Sequence, residues 1–314
     1  MVSVSLYGRS LLTLLDFTTE EILHLLKLAK KVKIQAHKGK VYRRFTGKTL
    51  ALLFEKRSTR TRCSFETAFG EEGGYPVFLS KDDIQLGGKE SLEDTARVLG
   101  RMFDAIQFRG FKQETAQILA KYSGVPVYNG LTDLYHPTQV LADILTLEES
   151  FADVKGKTLC YVGDGRNNVA RSLMIICAKL GIHFTAVTPS ELNPDDELRN
   201  KVAPLAIKSG SLIKVTSDIK AVKGADAIYT DVWISMGEED KRDERLRLLS
   251  SYQVNQQMMD MTGKKESIFL HCLPAVKGEE VTADVIDGKQ SKAWDQAENR
   301  KHTIKAVMLA TLIK

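Results

Sequence analysis

The sequence predicts an α/β protein built from two doubly wound parallel-sheet domains, with the active site in the cleft between them. Short, continuous apolar runs alternate with segments of helical periodicity along the chain, and this alternation is typical of parallel α/β folds. The run TLALLF (49–54) has the unbroken apolar character of a strand buried on both faces. The phrase DVKGK (153–157) separates two such series, and 314 residues are enough for two domains of ordinary size.

The first domain is predicted to span residues 1–150. The stretch Thr18-Thr19-Glu20-Glu21 has the pattern of a capping box that opens a helix. Strands and helices then alternate to the end of the domain. The expected strands are 49–54, 75–79, 104–110 and 125–129, and the expected helices lie around 65–73, 96–101, 112–123 and 139–150.

The second domain is predicted to span residues 151–296. Its series opens with TLCYVGDG (158–165), and the further expected strands are 182–187, 211–216, 225–230 and 267–272. The last segment, 297–314, has helical periodicity. We expect this C-terminal helix to pack back on the first domain.

Charge and cysteine usage limit the function classes. The net charge is only +5, from 45 basic and 40 acidic residues, which attracts nucleic acid or a membrane surface weakly. The four cysteines form no C-x-x-C pair, and free thiols favour a reducing compartment. Because no apolar run approaches the ~18 residues of a membrane span, we expect a cytoplasmic protein without a nucleic-acid or membrane partner.

The stretch FEKRSTRTRCSFETAFG (54–70) crowds arginines and hydroxyls into the junction between a strand and a helix. The first turn of a helix leaves backbone N–H groups unpaired and its dipole favours negative charge, so an anion gains many donors there. Arg109, in QFRG, ends another strand. No Walker pattern is present, so the phosphate need not belong to a nucleotide. The alternative is surface pairing of these arginines with Glu55, Glu66 and Glu71.

Further candidates follow other predicted strands. His136 opens HPTQ, and GDGRNN (163–168) resembles a dinucleotide fingerprint but has Asn168 where the third glycine belongs. Asp231 precedes a Trp-Ile-Ser-Met-Gly loop that is typical of a lid. Cys272, in HCLPA, is either a functional or a buried structural cysteine, and Arg300, in AENR, is an anion ligand or a surface cation. The remaining histidines show no metal-binding spacing: His24, His37, His183, His271 and His302.

Together these motifs resemble the aspartate/ornithine carbamoyltransferase family, in the family's order and spacing. The motifs are STRTR, KDDIQLGGKES, QFRG, HPTQ, GDGRNN, DVWISMG, HCLPA and AENR. DVWISMG and HCLPA are similar to the ornithine branch, whereas the aspartate branch would carry a P-L-P-R-type segment in place of HCLPA. The resemblance implies transfer of the carbamoyl group of carbamoyl phosphate to the side-chain amine of L-ornithine, giving L-citrulline and phosphate. Direct attack by the amine, no covalent enzyme intermediate, no metal and no cofactor are expected.

The resemblance also implies roles for individual residues. Carbamoyl phosphate is expected to contact Ser58, Thr59, Arg60, Thr61, Arg62, Gln85, Arg109, His136, Gln139, Cys272, Leu273 and Arg300. L-Ornithine is expected to contact Asn168 (or Asn167), Asp231, Ser235 and Met236. The residues expected to take part in catalysis are Arg60, Arg109, His136, Asp231 and Cys272. Gln85 is expected to reach a neighbouring subunit's site, which implies a homotrimer or a multiple of trimers.

Three alternatives remain open, the first of them within the class that the resemblance implies. One is a carbamoyltransferase for a related amine, putrescine or N-acetylornithine, although putrescine has no carboxylate for an amino-acid clamp to hold. The second is an NAD-dependent oxidoreductase that uses GDGRNN, and the third is a nucleic-acid-binding module built on residues 57–62. The direction of flux, citrulline synthesis or citrulline phosphorolysis, also stays open.

Overall fold

The computed structural model describes residues 4–82, 84, 90–234 and 238–314. Three predicted site residues, Gln85, Ser235 and Met236, lie outside the described residues. The chain divides into two compact units, one that runs to Leu145 and resumes at Glu298, and another from Thr146 to Ala297. Both division points lie inside long helices, Pro137–Ser150 and Ala293–Leu312. The domain limits expected from the sequence were after residue 150 and before residue 297. None of the described helices is long and apolar enough to cross a membrane.

Among the described residues, the first unit holds a four-stranded parallel sheet with the order β2-β1-β3-β4. Its strands are β1 (Thr49–Phe54), β2 (Tyr75–Ser80), β3 (Ala105–Arg109) and β4 (Val127–Leu131). The helices before the first division point are α1 (Thr19–His37), α2 (Thr59–Gly70), α3 (Leu92–Met102), α4 (Gln113–Ser123) and α5 (Pro137–Ser150), which contains that point.

The described part of the second unit holds a five-stranded parallel sheet with the order β7-β6-β5-β8-β9. Its strands are β5 (Thr158–Val162), β6 (His183–Val187), β7 (Ile213–Thr216), β8 (Ala227–Thr230) and β9 (Ile268–His271). Its helices are α6 (Asn168–Leu180), α7 (Asp196–Ser209), α8 (Arg242–Leu249), α9 (Gln256–Met261), α10 (Ala283–Ile286) and α11 (Ala293–Leu312), which passes into the first unit.

Local sequence explains why these elements form. Thr18 caps α1 through a complete capping box, since its Oγ1 accepts from Glu21 N and its own N–H donates to Glu21 Oε2. The apolar residues of β1 are all buried, as a parallel strand covered on both faces requires. One apolar core packs around β1 and β3 in the first unit, and another around β5 and β8 in the second. The predicted fold of two parallel-sheet α/β domains is confirmed.

Strand order indicates where each unit offers a ligand site. In the first sheet the chain leaves β1 toward β2 on one side and later adds β3 on the other. In the second sheet β5 has the same position between β6 and β8. Ligands of open parallel sheets bind at such switch points, at the carboxyl ends of the strands. The predicted site residues that follow β1, β3, β5 and β8 therefore lie where the topology favours binding.

Candidate active site

Thr61 is the centre of the polar cluster in the first unit. Ser58 is the N-cap of α2, and its side chain accepts a hydrogen bond from Thr61 N at 3.2 Å. The Thr61 side chain is fully buried. Its Oγ1 accepts from Arg109 Nη1 at 3.1 Å and from Arg300 Nη2 at 2.9 Å. The end of β3 and the helix α11 thus bring two buried guanidinium groups to one hydroxyl at the start of α2.

His136 completes this group of residues, which we call the Thr61 cluster: Thr61, Arg109, His136 and Arg300. The ring is almost fully buried, and its Nδ1 lies 3.4 Å from Thr138 Oγ1. Burial, and then the positive charges of Arg300, Arg109 and Arg60, hold the pKa of His136 well below its usual value. His136 is therefore a neutral imidazole at neutral pH, with one ring nitrogen that carries a hydrogen.

Gln139, on the first turn of α5, is almost fully buried. Its Nε2 donates to Asp143 Oδ1 at 2.9 Å, which fixes the orientation of the amide group. Its Oε1 is buried and has no hydrogen-bond partner within the part of the chain that the structure describes. A buried acceptor of this kind is stabilised by a ligand that brings an N–H donor.

Two arginines predicted to bind the same anion have different surroundings. Arg60 is half-buried and close enough to lower the pKa of His136. Arg62 is exposed, and its Nε donates to Glu66 Oε1 at 2.9 Å. Its guanidinium carbon Cζ lies 3.7 Å from the centre of the Phe78 ring. Thr59 is also exposed. The structure therefore groups Arg60 with the Thr61 cluster, whereas Arg62 makes the surface pairing that the sequence offered as the alternative.

Asp231 is the centre of a second polar cluster, in the second unit, just after β8. Its Oδ2 accepts from Asn167 Nδ2 at 3.0 Å, and its Oδ1 accepts from Cys272 Sγ at 2.9 Å. The Val232 N–H also donates to Oδ1, at 2.8 Å. The carboxylate is almost fully buried. We call Asn167, Asp231 and Cys272 the Asp231 cluster.

The two neighbouring asparagines have different positions at the start of α6. Asn167 is the N-cap, and its Oδ1 accepts from Val169 N at 2.7 Å while its Nδ2 binds Asp231. Asn168 is the first residue of the helix and is half-buried. Asn167, the less favoured alternative in the sequence, is thus the asparagine whose contact with Asp231 the structure records.

Two residues that the sequence did not assign hold the loop after β9. His271 Nδ1 accepts from Leu273 N at 2.9 Å, so the ring hydrogen is on Nε2, which lies 3.2 Å from Glu280 Oε1. Both side chains are fully buried, and Glu280 Oε1 also accepts from Val276 N at 2.6 Å. Leu273 has a φ of 59°, a left-handed conformation that is rare for a leucine and typical of functional loops. In the sequence, the histidine that begins HCLPA was the feature that could have indicated this contact.

One group of possible metal ligands, Asp231, His271 and Cys272, has its ligand atoms within 4.8 Å of one another. Both ring nitrogens of His271 already have partners, Leu273 N and Glu280. The thiol of Cys272 donates to Asp231. We therefore interpret this group as a hydrogen-bonded network that positions the loop after β9.

The glycine-rich turn after β5 is packed against its own chain. A Cβ on Gly165 would lie 2.9 Å from Leu192 O and 3.0 Å from Pro194 Cδ, and the Gly165 N–H donates to Thr188 Oγ1 at 3.1 Å. A dinucleotide-binding turn instead needs its glycine backbone open toward the pyrophosphate. The geometry therefore disfavours the NAD-dependent oxidoreductase.

Comparison with known proteins agrees with these observations. Residues 9–149 match "Aspartate/ornithine carbamoyltransferase, carbamoyl-P binding domain", and residues 155–311 match the Asp/Orn binding domain of the same family. The chain belongs to the aspartate/ornithine carbamoyltransferase family. It is an enzyme of the transferase class.

Relatives place the chain on the ornithine branch of this family. It is 64% identical to an ornithine carbamoyltransferase of Caldanaerobacter subterraneus over 313 residues, 99% of this chain and 100% of that protein. It is 55% identical to a catabolic ornithine carbamoyltransferase of Bacillus licheniformis, and the match covers 99% of this chain and 98% of that protein. The solved ornithine carbamoyltransferase of Pyrococcus furiosus superposes with a TM-score of 0.94 at 48% identity, and the match covers 99% of each chain.

Proposed function

We propose that this enzyme transfers the carbamoyl group of carbamoyl phosphate to the δ-amine of L-ornithine and releases L-citrulline and phosphate. The observation that carries the proposal is the Thr61 cluster, in which two buried guanidinium groups converge on one hydroxyl beside a neutral imidazole. Buried charge is stabilised by an opposite charge with matching hydrogen bonds. A small phosphorylated molecule supplies both.

The phosphate end is assigned to Thr61, Arg60, Arg109 and Arg300. A hydroxyl has two acceptor lone pairs and one hydrogen. Both lone pairs of Thr61 are used by arginine donors, so its hydrogen is left to donate to a ligand oxygen. The start of α2 adds the positive end of the helix dipole. Together these groups stabilise the charge of the leaving phosphate.

The carbamoyl end is assigned to His136 and Gln139. The buried Gln139 Oε1 is a matching acceptor for the NH₂ of the carbamoyl group. An N–H of the neutral His136 ring donates to the carbonyl oxygen, where negative charge develops as the tetrahedral state forms. A neutral donor suits this position because a further positive charge would be repelled by the surrounding arginines.

The acceptor amine is assigned to the Asp231 cluster. An alkylammonium has a pKa near ~10.4 and must lose a proton before its nitrogen can attack, and desolvation favours that loss. The ammonium proton passes to solvent before the reaction, and the Asp231 carboxylate orients the neutral amine. The amine nitrogen attacks the carbonyl carbon to give the tetrahedral state, whose collapse breaks the C–O bond to phosphate. The second proton that the nitrogen loses in this step leaves with the phosphate. The Cys272 thiol donates to Asp231, which supports attack without a covalent enzyme intermediate.

The quaternary part of the proposal is a cytoplasmic homotrimer, or a multiple of trimers, in which Gln85 completes a neighbouring site. Gln85→Ala should then lower activity without preventing assembly. Sedimentation equilibrium gives the mass of the assembly, and a monomeric active enzyme would rule out this part alone.

The proposed reaction is tested by citrulline formation from carbamoyl phosphate with a panel of amines: L-ornithine, putrescine, N-acetylornithine and L-aspartate. We expect ornithine to be preferred by at least two orders of magnitude in kcat/KM. The names of the relatives specify ornithine and give no support to the other amines as substrates of this enzyme. Arg60→Ala should severely weaken carbamoyl phosphate binding. Arg62→Ala is the matched control, because Arg62 is held by Glu66 and Phe78. Equal turnover of putrescine, or wild-type affinity in Arg60→Ala, would contradict the proposal.

A further inference from the structure

Three side chains from two helices of the first unit converge on one another. His37 is the last residue of α1, and Glu298 and His302 are one turn apart on α11. The Nε2 atoms of both histidines lie within hydrogen-bond distance of the same atom, Glu298 Oε1, at 2.8 Å for His37 and 3.1 Å for His302. Their three nearest ligand atoms are all within 4.8 Å of one another.

Imidazole nitrogen and carboxylate oxygen are the ligands that zinc and similar ions prefer. Such ligands bind zinc at about 2.0–2.2 Å in a tetrahedron, which sets their mutual separations at roughly 3.3–3.5 Å. The observed separations from Glu298 Oε1 are 2.8 and 3.1 Å. These two separations are shorter than the tetrahedral value by roughly 0.2–0.7 Å, and one ligand atom from each of the three residues lies within 4.8 Å of the other two. Water can occupy the fourth position.

One ligand is open to solvent, and binding of an ion changes the tautomers of both histidines. Both Nε2 atoms face Glu298 Oε1 as hydrogen-bond donors, so an ion that takes the place of these hydrogens leaves the ring hydrogen of each histidine on Nδ1. His37 is well exposed, with 59% of its side chain accessible, and this gives an ion a route from solvent.

Two features work against tight binding. Lys33 Nζ lies 4.0 Å from Glu298 Oε2, and Lys301 adds further positive charge near His302. His302 Nδ1 is buried without a hydrogen-bond partner in the described ranges, whereas a metal-bound histidine usually donates from its second nitrogen. We therefore expect reversible binding of added metal rather than a permanently loaded site.

We propose that His37, Glu298 and His302 form a binding site for a zinc-class transition-metal ion that joins the end of α1 to α11. The site is separate from the Thr61 cluster although Arg300 lies between its two ligands on α11. Two residues along a helix correspond to a rotation of roughly 200°, so Arg300 points to the opposite side. The metal thus connects helices that are far apart in the sequence without using a group that binds phosphate.

The test measures zinc binding to the full-length, metal-stripped protein by isothermal titration calorimetry. All samples carry Cys272→Ser, so that zinc bound to the thiol of the Asp231 cluster does not contribute. Three samples are compared with this parent: His37→Ala and Glu298→Gln, which each remove one ligand, and His24→Ala, which removes another exposed histidine of α1. Thermal unfolding without metal verifies that each variant folds.

We expect one zinc ion per chain in the parent and in His24→Ala, with at least tenfold weaker binding in His37→Ala and in Glu298→Gln. Zinc should also raise the Tm of the parent by mass action and leave the Tm of the two ligand variants nearly unchanged. A parent that binds no zinc would overturn the proposal. So would His37→Ala and Glu298→Gln proteins that bind zinc as tightly as the parent.

Discussion

Replacing Thr61 by valine should weaken carbamoyl phosphate binding by roughly one to two orders of magnitude. Valine keeps the shape of the side chain but removes the oxygen that accepts from Arg109 and Arg300. The hydroxyl hydrogen, which we assign to a phosphate oxygen, is lost as well. A hydrogen bond to a charged partner contributes about 1.5–3 kcal/mol, which corresponds to roughly 10- to 150-fold in affinity.

Thr61→Ser is the matched control because it keeps Oγ and removes only the methyl group. That methyl packs beside Gly130, where an added Cβ would lie 2.9 Å from Thr61 Cγ2. The serine variant should therefore bind within a few-fold of the wild type. The assay is the Kd for carbamoyl phosphate from thermal shift, together with its KM in citrulline formation. A valine variant that binds within threefold of the wild type, or a serine variant as impaired as the valine variant, would show that the Thr61 hydroxyl does not bind the phosphate.

Three further predictions concern pH, packing and the acceptor site. The pKa of His136 is lowered in the folded protein. Below about pH 6.5 the unfolded chain therefore binds more protons than the folded protein, and the free energy of unfolding falls on acidification. His136→Gln should flatten this fall in urea unfolding, and an unchanged slope would contradict the prediction. Gly100→Ala should lower the free energy of unfolding by about 3 kcal/mol, because a Cβ at this position would lie 1.8 Å from Ser123 O. A Cβ on Gly70 would meet no heavy atom within 4 Å, so Gly70→Ala should be neutral or slightly stabilising in the same unfolding measurement. Cys272→Ala should raise the KM for ornithine about tenfold, because the thiol donor to Asp231 is lost, and should leave the KM for carbamoyl phosphate unchanged. Cys272→Ser should have KM values near those of the wild type. Equal changes in both KM values would contradict the assignment of Cys272 to the acceptor site.

The elements of the sheets were predictable because their physical causes are local. The run 49–54 is apolar throughout since β1 is buried on both faces, and the structure places the strand at the predicted residues. The capping box at Thr18 is present because its two hydrogen bonds need only residues three apart. The start of α2 within STRTR follows from Ser58, whose short side chain reaches the next turn.

Individual side-chain roles were less predictable, because a residue's type does not determine its neighbours. Arg62 and Arg300 are both arginines in polar motifs, yet Arg62 pairs with Glu66 on the surface while Arg300 is buried against Thr61. His37 and His302 have no metal-binding spacing in the sequence, and they meet because α1 and α11 pack together. His271 supports Leu273 through a contact that the motif alone does not reveal.

Two alternating series of strands and helices, and a phosphate-type signal at the start of α2, were predictable from the residues alone. Those features depend on burial periodicity and on capping, which act within a few residues. The packing of the folded chain was needed to identify the cations that surround Thr61, the asparagine that contacts Asp231 and the histidines that share Glu298. Electrostatic and hydrogen-bond energies fall steeply with distance, and distance between remote residues is set by how strands and helices pack.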